Sequence, residues 1–322
     1  MIEYLIGVDG GGTGTRVRLA RPDGTLLAEG GSGPSALLHG IANAWNAVEQ
    51  AVAAAFAAAA IPMPGRAAIA IGLGLAGVHN KGWAADFIGA NPGYAAVALE
   101  TDAYTTVLGA HEGRPGAIIA LGTGSVGEAL REDGSRCEVG GWGFPAGDEA
   151  GGAWIGMRAV NHAQHVIDGR AAGSAFADAV IGECGENGVD AGAGERGDPG
   201  IGEGAGRRDA VQRWLAGATQ TRYAQLARIV LAHAGGDDTA RAIMIEAGRQ
   251  VGLIAGALDL AGRLPIALCG GLAEPMRAFL PGDLLARIVP ANGDSAAGAL
   301  RLVRRSLAEG EPTRPAQPSP KE

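Results

Sequence analysis

Three cysteines in 322 residues, Cys137, Cys184 and Cys269, are odd in number and far apart, with no C-x-x-C spacing. That pattern offers no zinc ligand set, iron–sulfur cluster or redox pair, and is the usage expected of reduced thiols in a cytoplasmic protein. Aromatic residues are scarce at 4%, so the cores must be filled by Ala, Leu, Ile and Val, which the 47% hydrophobic content permits. Positive charge is not in excess: the formal net charge of -8 argues against nucleic acid as a partner, because phosphate-backbone binding needs clustered Lys and Arg. No basic helix-turn-helix module is present either, which removes a sugar-sensing transcription factor from the readings. The longest apolar stretches, 51–62 and 67–78, are too short to span a bilayer, and the start MIEYLIGVDG has no basic export region, so no membrane attachment is expected. Gly-Lys-Ser/Thr occurs nowhere, which excludes a Walker A loop. What remains is a globular chain of about two domain lengths with a small ligand as its expected partner.

Glycine is abundant, 56 residues, and its placement shows an internal repeat. Residues 12–33, GTGTRVRLARPDGTLLAEGGSG, align without a gap on 122–143, GTGSVGEALREDGSRCEVGGWG, with nine of twenty-two positions identical at a shift of 110 residues. Each copy follows a buried-strand run (4–8 and 117–121). A Gly-Thr-Gly turn comes next, then two strands joined by an Asp-Gly hairpin, Asp23-Gly24 and Asp133-Gly134. Between the copies the pattern predicts a helix over 41–60, a buried strand over 67–73, a short helix near 81–88 and a strand over 95–101 that runs into Asp102. After the second copy it predicts helices over 152–167, 222–233 and 239–261, a strand over 265–268 and a last helix from 295 to about 307. This alternation is an α/β fold. The Gly/Glu/Asp-rich stretch 182–208 reads as a surface insertion, and 308–322, rich in proline, as a disordered tail.

The glycines also mark where chemistry is expected. Asp9-Gly10-Gly11-Gly12-Thr13-Gly14-Thr15 lies between two strands, where glycine lets backbone N–H groups approach an anion. Gly11, Gly12 and Thr13 are candidates for phosphate contact, and Asp9, at a strand end, for holding Mg²⁺ directly or through water; an ordinary tight hairpin with Asp9 as turn former is the other reading. Gly122-Thr123-Gly124 repeats the same chemistry, so the duplication points to two loops gripping a polyphosphate from either side of an interdomain cleft. Two G-x-G-x-x-G matches, Gly72/Gly74/Gly77 and Gly122/Gly124/Gly127, raise a dinucleotide-binding module as a rival, although neither runs cleanly into a helix. Asp102 ends a strand and opens a helix, a place where an aspartate commonly serves as N-cap. Gly141, Trp142 and Asp148, in GGWGFPAGDE (140–149), combine a turn, an aromatic ring and a carboxylate, which from the residues alone can be a core tryptophan with acids favouring a helix N-terminus. His162 and His165 share a helix face but have no third ligand for a metal.

The order DGGGTGT, ETDAY, LGTGS, GGWGFPAGDEAGGAWIG, CGGLAE, DSAAGAL resembles the N-acetylglucosamine and glucosamine kinase branch of the BadF/BadG/BcrA/BcrD ATPase family, over residues 1 to about 302 without the insertion. The resemblance implies two ribonuclease-H-like, actin-like ATPase domains, 1–113 and 114–293, with helix 294–307 returning to the first domain. It implies an ATP- and Mg²⁺-dependent kinase acting on the 6-hydroxyl of an amino sugar, and a homodimeric assembly. Asp102 would be the base, Gly141, Trp142 and Asp148 the sugar loop, and Gly270-Gly271 the turn against adenosine, which could equally be a plain strand-to-helix turn. Asp294 would either approach the bound nucleotide or only cap its helix. Ala36 stands where relatives carry a sugar-contacting Asn, leaving Ser35 as the substitute, and Val126 replaces a polar residue. A second role in the same family, ATPase activator of a 2-hydroxyacyl-CoA dehydratase, would require an iron–sulfur cluster held by close cysteines.

Overall fold

The computed structural model describes residues 1–186 and 203–310. Its first sheet comprises β1 (Tyr4–Gly10), β2 (Thr15–Ala20), β3 (Leu26–Ser32), β4 (Ile69–Leu75) and β5 (Ala96–Glu100), with helices α1 (Ile41–Ala58), α2 (Lys81–Gly89) and α3 (Asp102–Ala110) between or after them. The second holds β6 (Gly116–Leu121), β7 (Ser125–Leu130), β8 (Arg136–Gly140) and β9 (Ile266–Cys269). Helices α4 (Gly152–Ile167), α5 (Ala175–Glu186), α6 (Glu203–Ala216), α7 (Gln220–Gln225), α8 (Ala227–His233) and α9 (Asp238–Leu258) lie between β8 and β9. The short α10 (Ala273–Met276) and α11 (Gly282–Leu285) precede the closing helix α12 (Ser295–Glu309).

Strand order shows the duplication. The first sheet runs β3-β2-β1-β4-β5, the second β8-β7-β6-β9. In both, two antiparallel pairings lead into a parallel one, β1 with β4 and β6 with β9. The fifth position of the second sheet is reduced to one parallel bridge, Ile266 to Ile288. The match extends to single hydrogen bonds. In one hairpin Arg21 N–H donates to Thr25 C=O at 2.9 Å, Gly24 N–H to Arg21 C=O at 2.9 Å and Thr25 N–H to Asp23 Oδ1 at 2.8 Å. At +110, Arg131, Gly134 and Ser135 do the same at 2.9, 3.0 and 2.8 Å. Gly24 and Gly134 hold φ of +98° and +81°, a conformation that favours glycine.

Alternation along the strands decides the layers. Ile69, Ile71 and Leu73 of β4 face α1 and α2, with Ile6 and Val8 of β1. The opposite face of β4 carries Ala70, Gly72 and Gly74, and this small-residue face receives α12 and α3. A Cβ on Gly7 or Gly72 would run into the α12 backbone at Ala296 and Ala299, and one on Gly298 into Thr105 of α3. The second sheet divides its residues likewise, Ala117, Ile119 and Leu121 toward α4, α8 and α9, and Ile118 toward the middle layer. That middle core joins Leu5, Ala70 and Ala98 of one sheet to Ile118, Leu130 and Ala267 of the other through Tyr104, Val107, Leu302 and Val303, giving helix, sheet, helix, sheet, helix in succession.

Several sequence expectations need correction. The stretch 182–208 is not irregular throughout: 182–186 finish α5 and 203–208 begin α6, while 187–202 lie outside the described residues. The helix expected over 222–233 is broken at Leu226 into α7 and α8. Residues 308 and 309, expected in the tail, belong to α12, which continues to Glu309 and ends on Gly310 at φ +67°; the rest of the expected tail, 311–322, lies outside the described residues.

Candidate functional site

The candidate residues gather at the carboxyl ends of the parallel strands, where chain direction reverses into loops. Thr13 and Thr123 are both exposed at the tips of their loops. Gly11 N–H donates to Gly14 C=O at 3.0 Å and Gly122 N–H to Gly124 C=O at 2.9 Å, while space beside Gly11, Gly12 and Gly122 is open. Each loop is held from behind by the segment that follows its repeat. Ser35 and Ala36 N–H donate to Gly11 C=O at 3.1 and 3.2 Å; Gly152 and Ala153 N–H, opening α4, donate to Gly122 and Thr123 C=O at 2.8 and 2.9 Å. Asp9 pairs with the exposed Arg16 at 2.6 Å through one carboxylate oxygen.

Asp102 is not the cap of its helix. Thr101 takes that role, its Oγ1 accepting from Tyr104 N–H at 3.1 Å, while the Asp102 carboxylate accepts from its neighbour Ala103 N–H at 3.0 Å. Burial pushes its carboxyl above the usual range; the Ala103 N–H opposes this, Asp9 adds to it, and His79 lowers it. Asp102, Asp9 and His79 therefore share one electrostatic environment at the ends of β5, β1 and β4. His79, in the loop after β4, also lies 3.6 Å from Glu138 of β8 and so connects the two sheets.

Around the second loop, Gly270, at φ +90°, leaves no room for a side chain against the Leu121 carbonyl, and Leu272 N–H donates to that carbonyl at 3.0 Å. Gly271 beside it is open. This turn thus abuts the strand that carries Gly122-Thr123-Gly124. Asp148, itself at φ +60°, is 7% exposed; it accepts from Gly143 N–H at 3.1 Å and from Gln220 Nε2 at 2.9 Å. Its carboxylate organises the loop between β8 and α4. Gly141 holds φ of +67°, and Trp142 stands 83% exposed on that loop.

Other expectations resolve differently. Ser35 is fully buried, its hydroxyl accepting from Thr15 Oγ1 at 2.7 Å, so it fastens the loop to β2 instead of lining a pocket. Asp294 caps α12, accepting from Ala297 N–H at 3.0 Å, and also pairs with Arg18 at 3.2 Å. Within the apparent dinucleotide motifs, Gly72, Gly74 and Gly127 are packing glycines: Gly72 and Gly74 receive α12 and Thr105, and Gly127 lies against Ile254 and Leu258 of α9. His162 stacks on Phe176, and among the described residues no group of three or more His, Cys, Asp or Glu is placed to hold a metal ion. His79 and Gln220 were missed by sequence reasoning. The histidine stood in a segment with no motif, and the glutamine lies 72 residues from the Asp148 it binds, with no local signal.

Two sheets of one topology in tandem, each with a Gly-Thr loop after its first strand and with candidate carboxylates at the strand ends, define the actin-like ATPase and sugar-kinase class of α/β fold. The chain belongs to the BadF/BadG/BcrA/BcrD ATPase family, whose profile matches residues 6–280. It is 29% identical over 301 residues to the glucosamine kinase of Vibrio cholerae, covering 93% of this chain and 95% of that one. A solved Chromobacterium violaceum structure, provisionally assigned as an N-acetylglucosamine kinase, is 48% identical with a TM-score of 0.83, covering 94% of this chain and 99% of that one. A Porphyromonas gingivalis structure of the same provisional assignment, at 14% identity and TM-score 0.61 over 95% and 100% of the two chains, shares the fold. No helix among the described residues is long and apolar enough to cross a membrane.

Proposed function

We propose that the chain is an ATP-dependent hexosamine kinase that phosphorylates the 6-hydroxyl of glucosamine or N-acetylglucosamine. The observation that carries this reading is Asp102: the capping work falls to Thr101, which leaves a carboxylate at a strand end, beside Asp9, with its proton affinity raised by burial. A carboxylate so tuned suits a general base, accepting the hydroxyl proton as the γ-phosphoryl group arrives. Thr13 and Thr123, on equivalent exposed loops, would donate to phosphate oxygens with the backbone of Gly11, Gly12, Gly122 and Gly124, and Gly270-Gly271 would admit the adenosine end. Asp148 would act by holding the Gly141-Trp142 loop, which would close over the sugar. The donor chemistry of Asp9 fits Mg²⁺, since a carboxylate oxygen not bonded to Arg16 remains and the other oxygens of the shell would come from phosphate and water. Bound there, Mg²⁺ would neutralise phosphate charge.

The sequence relatives named as amino-sugar kinases support the acceptor class. Against the dehydratase-activator role, Cys184 is buried and its thiol is pushed up to about 12, while burial pushes Cys269 up to about 11, neither suited to ligating a cluster. We take 1–113 and 114–293 as the two closing units, 294–307 as moving with the first, and cytoplasmic residence and a homodimer as the working state. ADP release measured across hexoses and hexosamines tests the activity: the expected outcome is release stimulated by glucosamine or N-acetylglucosamine. Release indifferent to any amino sugar would overturn it.

A further inference from the structure

Charged groups that the phosphate loops and the candidate base leave unused gather between the edge of the second sheet and the start of α3. Arg136 opens β8, and its Nη1 leaves that sheet to donate to Glu100 Oε2 at 2.9 Å, at the end of β5. Its guanidinium carbon lies 3.5 Å from the ring centre of Tyr104, a buried residue of α3. These partners are the residue two before Asp102 and the residue two after it. A third contact, Nε to Glu128 Oε1 at 3.2 Å, anchors the same guanidinium to β7 of its own sheet. A planar, permanently charged fork that also stacks on a ring makes these three contacts together; an ammonium group does not.

We infer that Arg136 is a positioning residue, reaching across from the second sheet to fix the stretch 100–104 and with it the direction in which Asp102 presents its carboxylate to the acceptor hydroxyl. The inference rests on the reading of Asp102 as the base. The surrounding charges show what the guanidinium balances. Glu100 comes from β5 and Glu128 from β7. Glu138 of β8 stands opposite Glu128 in the strand register and meets His79 from the loop after β4, and the Tyr104 ring faces the group from α3. Glu128 is 1% exposed, its Oε2 has no partner, and burial pushes it up to about 7 despite Arg136. Without the guanidinium, Glu100 and Glu128 would lose their shared counter-charge, and the stretch 100–104 its tie to the second sheet.

Arg136→Gln and Arg136→Lys, compared with the parent enzyme in kcat, in KM for both substrates and in the titration of Asp102 by carboxyl carbon NMR, test this. The expected result for Gln is a kcat lowered about 10-fold or more with KM for nucleotide within about twofold, and an Asp102 midpoint displaced from the parental one as the carboxylate changes its surroundings. Lys restores charge without the fork, so it should recover only part of the rate. Parental kcat in the Gln variant, complete rescue by Lys, or an unmoved Asp102 titration would each overturn the inference. Should Gln prevent folding, the Lys variant decides alone, full rate in it being the overturning result. A parent enzyme that transfers no phosphoryl group to any amino sugar would instead sink the proposed function, while the Asp102 titration would still test the positioning.

Discussion

At the scale of single residues, Asp102 illustrates the conflict between stability and activity. Its folded pKa is raised, so between the ordinary value of 3.8 and the folded one the folded chain binds more protons than the unfolded chain. Stability therefore falls as pH rises through that window, and the cost persists above it. Asp102→Asn should remove the cost and the base together: kcat lower by about 100-fold or more, nucleotide affinity nearly unchanged, and a melting temperature at pH 7 above that of the parent. A loss of rate accompanied by a lower melting temperature would mean that the carboxylate stabilises the fold. The same raised pKa predicts an acid limb of kcat/KM above the normal aspartate range. Asp148 and Ser35 make the contrasting case. Both are polar residues inside recognisable motifs, yet each has its side chain already engaged within the protein, which no spacing in the sequence reveals.

For the elements, the controlling feature is the small-residue face of β1 and β4 that admits α12. Gly7, Gly72 and Gly109 receive it, and Gly298 of α12 in turn admits the α3 backbone. A glycine inside a helix ordinarily costs about 1 kcal/mol relative to alanine, so Gly298→Ala on an isolated helix would stabilise. Here the added methyl meets the Thr105 carbonyl, with the Gly109 nitrogen 2.6 Å away, and backbone has no rotamer to escape into. Overpacking of about 1–3 kcal/mol should win, so Gly298→Ala is expected to lower the melting temperature and to displace α3, reducing kcat as well. Thermal unfolding and steady-state rates on the purified variant check both, and a stabilised variant would show that the helix can shift without penalty.

The whole molecule places its chemistry on both sheets: Asp102, Asp9 and the first loop on one, the second loop, the Asp148 loop and the Gly270-Gly271 turn on the other. Contacts such as Arg136 with Glu100 and His79 with Glu138 join the sheets beside Asp102. Closure of the two units would bring the groups together and exclude water that competes with the sugar hydroxyl. Sugar should then tighten binding of a non-hydrolysable ATP analogue by roughly 5-fold or more, and by linkage the analogue must tighten sugar by the same factor. Calorimetry in both orders, with small-angle scattering for compaction, measures this. Additive affinities and an unchanged radius of gyration would exclude closure.

The sequence by itself determined the duplication, because a Gly-Thr turn and an Asp-Gly hairpin are local structures written in consecutive residues; the hydrogen bonds of the two copies agree at a shift of 110. It also determined the α/β alternation and Asp102 at a strand end, since periodicity and punctuation are local too. Only the tertiary structure decided that Ser35 is buried and that Gly72, Gly74 and Gly127 serve packing. It alone brought Arg136 of the second sheet to the residues flanking Asp102. These outcomes depend on partners tens to hundreds of residues away, and on which face of a strand another element covers, neither of which a run of neighbouring side chains encodes.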